Sequence, residues 1–292
     1  MPNTLTTSYL KDSIFKPGLF EGKVAFITGG AGTICRVQAE ALVLLGANVA
    51  IVGRSPEKTE KAAKEIQELR SGSKVLGLGN VDVREVKNVQ QAVEKTVKEL
   101  GKIDFVIAGA AGNFLSDFNH LSSRAFKTVI DIDLIGSYNT AKATFEQLRQ
   151  NKGHIIFITA TLHYYGLPMQ SHASAAKAGV DALARSLAIE LGPSGVRSNL
   201  IAPGPIENTE GFERLLPPDT IERALKNIPL QRTGTTQDIA DTTVFLFSNA
   251  SSYITGETIV VDGGQWQTGS TMSIAGLYPE VIVAQNEDKP KI

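Results

Sequence analysis
A β-rich run at residues 23–28 ends in Thr28-Gly29-Gly30-Ala31-Gly32-Thr33-Ile34-Cys35, and a buried helical pattern follows at once over 36–46. Strand, glycine turn and helix in that order restrict the chain to few architectures, because the turn brings backbone amides to the positive end of a helix dipole. The alternation then repeats. Strands are expected at 48–53, 75–80, 103–108, 154–159, 196–201 and 258–261, with helices at 56–70, 85–100, 124–149, 171–191 and 236–247. Strands separated by helices of this length run parallel and cross over right-handed. The expected fold class is α/β, a doubly wound parallel sheet of the Rossmann type flanked by helices in a single domain.

The 292 residues suffice for one large core. Lysine and arginine number 29 against 30 aspartates and glutamates, so no basic field favours nucleic acid or an anionic membrane. The most apolar stretch, 41–53, is interrupted by Gly46 and Asn48 and falls short of the roughly 20 residues of a membrane span. A single cysteine, Cys35, makes neither an internal disulfide nor a cysteine metal cluster, so a reducing compartment and no metal site are expected. Residues 1–20 lack the apolar centre of a secretory signal and read as a leader, 21–266 carry the alternating pattern, and 267–292 form a less regular tail.

Position and composition together assign Gly29, Gly30, Gly32, Thr33 and Ile34 to a pyrophosphate. Thr33 and Cys35 stand where the T-G-x-x-x-G-x-G form of this loop has its last two glycines, which puts close backbone approach at Thr33 in question. Arg54 closes the second strand, where an acid selects ribose hydroxyls and a base selects a 2′-phosphate. A guanidinium pairs with phosphate through two parallel hydrogen bonds, so NADPH is expected rather than NADH. Asp82 and Val83 follow the third strand and suit an adenine ring; Asp82 equally suits the cap of the next helix.

The helix expected at 171–191 contains Ser171-His172-Ala173-Ser174-Ala175-Ala176-Lys177. Positions i and i+4 share a helix face, so the tyrosine and lysine of a Y-x-x-x-K helix meet in one pocket. Here Ala173 stands in the tyrosine's place while Lys177 is kept. Reducing a ketone needs a hydroxyl proton donor beside the developing alkoxide, whereas reducing an activated carbon–carbon double bond does not.

Thr28 to Gly32, Asp82, Ala108-Gly109-Ala110-Ala111-Gly112, Lys177, Pro203-Gly204 and Asp262-Gly263-Gly264 together resemble the short-chain dehydrogenase/reductase family over roughly residues 20–266. A narrower resemblance, to the peroxisomal 2,4-dienoyl-CoA reductases of fungal type, covers the whole chain. It rests on Ala110-Ala111-Gly112-Asn113-Phe114, Asp131-Ile132-Asp133, Ala160-Thr161-Leu162, the tyrosine-less segment before Lys177, and Pro203-Gly204-Pro205-Ile206 with Thr209-Glu210-Gly211. It implies NADPH-dependent reduction of a 2,4-dienoyl-CoA to a 3-enoyl-CoA in the degradation of unsaturated fatty acids, by a homo-oligomer. The family's serine falls at Ala160, its tyrosine at Ala173 and its helix asparagine at Asp133, so only the lysine of that tetrad survives.

Conjugation accounts for the loss. Hydride adds at the far end of the diene, charge moves onto the thioester oxygen, and a proton then goes to the carbon beside the carbonyl. The resemblance implies Lys177, Asp133 and Asp262 for catalysis, with Lys177 also on the nicotinamide ribose. It implies Ala110, Pro203, Gly204, Ile206 and Thr209 beside the cofactor, and Arg54, Arg84, Phe114, Ser122, Ser123, Arg124, His163 and Arg214 around an acyl-CoA. His163, Tyr164 and Tyr165 follow the fifth strand at the edge where ligands bind, so both a donor to the thioester oxygen and loop packing are open to them. Two further readings stay open: a carbonyl (3-ketoacyl-CoA) reductase using His163 or Tyr164 as donor, and an inactive dinucleotide-binding regulator. Ala178, Ala182 and Leu183 offer a close-packing face, between subunits of a dimer or tetramer or within the core. The terminal Pro290-Lys291-Ile292 resembles a variant of the S-K-L address, which implies a peroxisomal import receptor as partner; without it the expected compartment is the cytoplasm.

Overall fold
The computed structural model describes residues 4–215 and 228–268. Among them seven strands form one parallel sheet: β1 (Val24–Thr28), β2 (Asn48–Val52), β3 (Val75–Leu78), β4 (Phe105–Ala108), β5 (His154–Ile158), β6 (Arg197–Pro203) and β7 (Thr258–Val261). Their order is β3-β2-β1-β4-β5-β6-β7, so the chain reverses direction across the sheet between β1 and β4. Crevices at such a reversal, beyond the carboxyl ends of the strands, are where ligands bind in open α/β sheets.

The helices are α1 (Tyr9–Asp12), α2 (Thr33–Leu44), α3 (Pro56–Gln67), α4 (Val86–Leu100), α5 (Ser123–Val129), α6 (Gly136–Asn151), α7 (Leu162–Tyr165), α8 (Ser171–Leu191), α9 (Glu210–Leu215) and α10 (Thr236–Phe247). Period-2 alternation sends successive strand side chains to opposite faces. Ala25 and Ile27 of β1 thus join Val49 and Ile51 of β2 against α2, α3 and α10, while Phe26, Ala50, Val52 and Val106 pack against α4, α6 and α8. Local chemistry starts the helices. Ser55 caps α3 by accepting the Lys58 N–H at 3.3 Å, Pro56 presets its first turn, and Thr235 with Asp238 forms a capping box on α10.

The helix expected at 124–149 is broken by a π turn over Ile130–Ile135. That wider turn draws Asp133 inward, to 1% exposure. The leader packs onto the same core. Leu5, Tyr9 and Phe20 are buried, the Leu5 amide donates to Glu40 Oε2 at 2.8 Å, and the Tyr9 hydroxyl donates to Asp241 Oδ1 at 2.7 Å. No helix among the described residues is long and apolar enough to cross a membrane. The terminal Pro290-Lys291-Ile292 lies outside the described residues.

Candidate active site
The loop between β1 and α2 is shaped by close backbone contact. Gly29 has φ +69°, and a Cβ there would sit 2.9 Å from Ala110 Cα; a Cβ on Gly30 would meet Ile51 at 2.6 Å. The loop is therefore seated on the β4 turn with no room for side chains. The N-cap of α2 is Gly32, which has no side chain to satisfy the first-turn amides. A dinucleotide pyrophosphate fits such a cradle. Thr33 enters the first helical turn without positive φ, so that position needs no glycine. Cys35 lies against Gly109, its thiol pushed up to about 12 chiefly by burial. An unreactive thiol thus fills the last glycine's place.

Beyond β2, the exposed Arg54 lies near Asp82. Asp82 does not cap α4. It accepts the Arg84 backbone N–H at 3.0 Å and pairs with the Arg84 guanidinium, whose hydrogen bonds hold its carboxyl below the ordinary value, with Arg54 adding a smaller attraction. Val83 is buried behind this pair. Two arginines against one acid leave a basic edge at the position expected for a 2′-phosphate or another phosphate.

At the centre, α8 and the π turn bring Lys177 and Asp133 together. Lys177 Nζ stands 3.0 Å from Asp133 Oδ2 and donates to the Ile158 carbonyl at 3.0 Å, while the Gly112 N–H donates to Asp133 Oδ1 at 2.7 Å. Both side chains are buried, Lys177 at 8% and Asp133 at 1% exposure. A carboxylate is tolerated there because a cation pairs with one oxygen and a backbone amide donates to the other. Ala173 is buried on the same helix face one turn earlier, so this position offers no hydroxyl.

Sequence reasoning passed over His172 and the bonds that hold the Phe114 loop. The His172 ring stacks on Phe114 with centroids 4.3 Å apart, and its Nε2 donates to the Phe114 carbonyl at 3.0 Å. Burial lowers its pKa, which keeps the imidazole neutral. Asn113 Nδ2 donates to the buried Gln170 Oε1 at 2.7 Å. The Phe114 loop is thus held by the first residues of the lysine helix and its N-cap, Gln170. The only sequence signal for this was the unusual pair Asn113-Phe114 after Gly112.

Asp262 is buried, with Oδ1 accepting the Gly264 N–H at 2.8 Å and Oδ2 the Trp266 N–H at 2.7 Å. Gly204 lies directly against its Cβ. Pro203 ends β6, Ile206 bridges to Gly234, and the buried Thr209 accepts the Phe212 N–H at 3.1 Å, starting α9. Among the expected substrate residues, Ser122 caps α5 with Ser123 and Arg124 exposed in its first turn. Arg214 pairs with Glu210 at 3.1 Å on the solvent face of α9. His163 Nε2 and the Tyr164 hydroxyl both turn to Asp181, at 3.1 and 3.2 Å.

Residues 29–265 match the family described as enoyl-(acyl carrier protein) reductase. The peroxisomal 2,4-dienoyl-CoA reductase, (3E)-enoyl-CoA-producing, of Saccharomyces cerevisiae is 58% identical over 288 residues, 98% of each chain. The enzyme of the same description from Danio rerio is 44% identical over 88% of this chain and 86% of its own. Among solved structures, the citronellol catabolism dehydrogenase of Pseudomonas aeruginosa superposes with a TM-score of 0.75 at 35% identity, over 87% of this chain and 99% of that one. Sheet order, glycine loop, lysine helix and these matches agree: the chain belongs to the short-chain dehydrogenase/reductase family, in its peroxisomal 2,4-dienoyl-CoA reductase branch.

Proposed function
We propose that this chain reduces 2,4-dienoyl-CoA thioesters to 3-enoyl-CoA with NADPH, in the peroxisome. As a member of its family it takes a nicotinamide dinucleotide, and the preference for NADPH rests on Arg54 at the end of β2. The relatives from Saccharomyces cerevisiae and Danio rerio support the substrate class and the compartment. The observation that carries the reading is the centre itself: a buried Lys177–Asp133 pair beside an alanine where a carbonyl reductase needs a hydroxyl acid.

The bound cofactor supplies the hydride equivalent. The chain's own groups bind, orient and handle charge. Gly29, Gly30, Gly32, Thr33 and Ile34 hold the pyrophosphate, Asp82 and Val83 border the adenine, and Ala110, Pro203, Gly204, Ile206 and Thr209 line the remainder. Lys177 Nζ orients the nicotinamide ribose and brings positive potential to the side where thioester charge develops. Asp133 pairs with that ammonium and, with Asp262, holds water for the proton that the carbon beside the carbonyl receives. Phe114 with Ser122, Ser123, Arg124, His163 and Arg214 borders the acyl-CoA, and Arg84, beside Arg54, serves its phosphates.

Purified protein mixed with NADPH and a 2,4-dienoyl-CoA is expected to lose reduced-nicotinamide absorbance and yield the 3-enoyl thioester. Consumption of a 3-ketoacyl-CoA in place of the dienoyl thioester would overturn the reading in favour of a carbonyl reductase. Tight cofactor binding without turnover of either would favour an inactive regulator.

A further inference from the structure
Asp181 lies one turn beyond Lys177 on α8 and is 2% exposed. Its carboxylate gathers groups from several elements. Thr159 Oγ1, just past β5, donates at 2.6 Å; His163 Nε2 and the Tyr164 hydroxyl of α7 stand at 3.1 and 3.2 Å. Arg185, a further turn along α8 and more than half exposed, reaches it at 3.5 Å and also donates to Thr258 of β7 at 3.3 Å. Tyr164 in turn sets its ring 5.3 Å from Trp266, whose amide donates to Asp262.

We propose that Asp181 is the positioning residue of the wall formed by residues 159–165. A buried carboxylate is costly unless its lone pairs are filled, and three of its four donors here come from that one segment. The arrangement that satisfies Asp181 therefore also seats the wall. Lys177 holds the Ile158 carbonyl and Asp181 holds Thr159, so two side chains a turn apart on α8 fix consecutive residues at the carboxyl end of β5. The wall then passes through Ala160, which has no hydroxyl of its own to anchor it. Through Tyr164 and Trp266 the same contacts reach the Asp262 turn. By the proposed function His163 of this wall borders the acyl-CoA, whereas the pyrophosphate cradle is built from the β1–α2 loop, so loosening the wall acts on the thioester.

The inference rests on the proposed dienoyl-CoA reduction, and wild-type turnover tests that reading separately. In an active wild type, Asp181→Asn is expected to raise KM for the dienoyl thioester about tenfold, leaving KM for NADPH within about twofold and kcat within about threefold. Thr159→Val with Tyr164→Phe removes two donors without touching the buried charge. This pair is expected to raise the same KM by a smaller factor and to add nothing when combined with Asp181→Asn. A lower melting temperature with both KM values unchanged, or an equal rise in both, would reduce Asp181 to a structural residue and overturn the proposal. Should Asp181→Asn fail to fold, an unchanged thioester KM in the Thr159→Val, Tyr164→Phe protein overturns it equally.

Discussion
Lys177 and Asp133 form a unit, which sets what their substitution does. Both are buried, and each fills the other's charge. Removing one member of such a pair leaves the other uncompensated, at a cost of about 3–5 kcal/mol, whereas removing both is cheaper than the sum. Lys177→Met is therefore expected to lower both the denaturation midpoint and kcat, the latter by about 10²-fold or more per folded molecule. Asp133→Leu in the Lys177→Met background is expected to restore part of the midpoint and none of the activity. Recovered activity would show that the pair is only structural. Arg54 behaves differently because it is exposed at the sheet edge. Arg54→Ala should raise KM for NADPH about tenfold, the weight of a hydrogen bond to a charged group, while KM for NADH stays near its wild-type value. Equal changes for both cofactors would remove Arg54 from the 2′-phosphate.

At the scale of elements, the parts that follow from periodicity were legible and those that follow from tertiary contact were not. α8, α10 and β7 begin and end where the sequence expects, because the alanine-rich run, the Thr235–Asp238 box and the β-branched Thr258–Val261 run are local signals. The π turn inside 124–149 has no such signal. It accompanies the inward turn of Asp133 to Lys177 and the Gly112 amide, contacts made far along the chain. Asp181 was likewise silent, since its partners lie up to 22 residues away. The glycine loop and the Lys177 helix were readable as contiguous motifs, and the role given to Lys177 came from the resemblance those motifs carry. One element contact offers a direct check. A Cβ on Gly109 would overlap the Cys35 sulfur at the start of α2, so Gly109→Ala is expected to cost about 1–3 kcal/mol by overpacking. Cys35→Ala, by removing the sulfur, should recover most of the loss, and additive losses in urea titrations would contradict this contact.

The whole molecule separates its chemistry from its foundation across the sheet. Lys177, Asp133 and the glycine loop sit at the carboxyl ends of the strands, whereas His154 opens β5 at the opposite end. There Phe20 of the leader meets Phe105 at 5.3 Å, Phe105 stacks on Phe247 of α10 at 4.4 Å, and Phe247 meets the His154 ring edge-on at 5.2 Å. Asn199 Nδ2 approaches His154 Nε2 at 2.9 Å; an amide nitrogen only donates, so that ring nitrogen accepts and the imidazole is neutral. Burial, with the Arg197 charge adding to it, pushes this histidine well below 6.5. Below pH 6.5 the unfolded chain takes up a proton at this site and the folded chain does not, so stability falls as pH falls, by about 1.4 kcal/mol per pH unit. Asp238, held near 2 chiefly by its Arg232 hydrogen bonds, retains its contribution throughout that range, because a depressed carboxyl loses it only as pH falls toward the folded value. His154→Gln keeps an acceptor for Asn199 but takes up no proton. Between pH 7 and pH 5 the wild type should therefore lose about 2 kcal/mol more stability than this variant, as read from urea midpoints. Parallel pH profiles for the two proteins would mean that the acid sensitivity of the fold lies elsewhere than beneath β5.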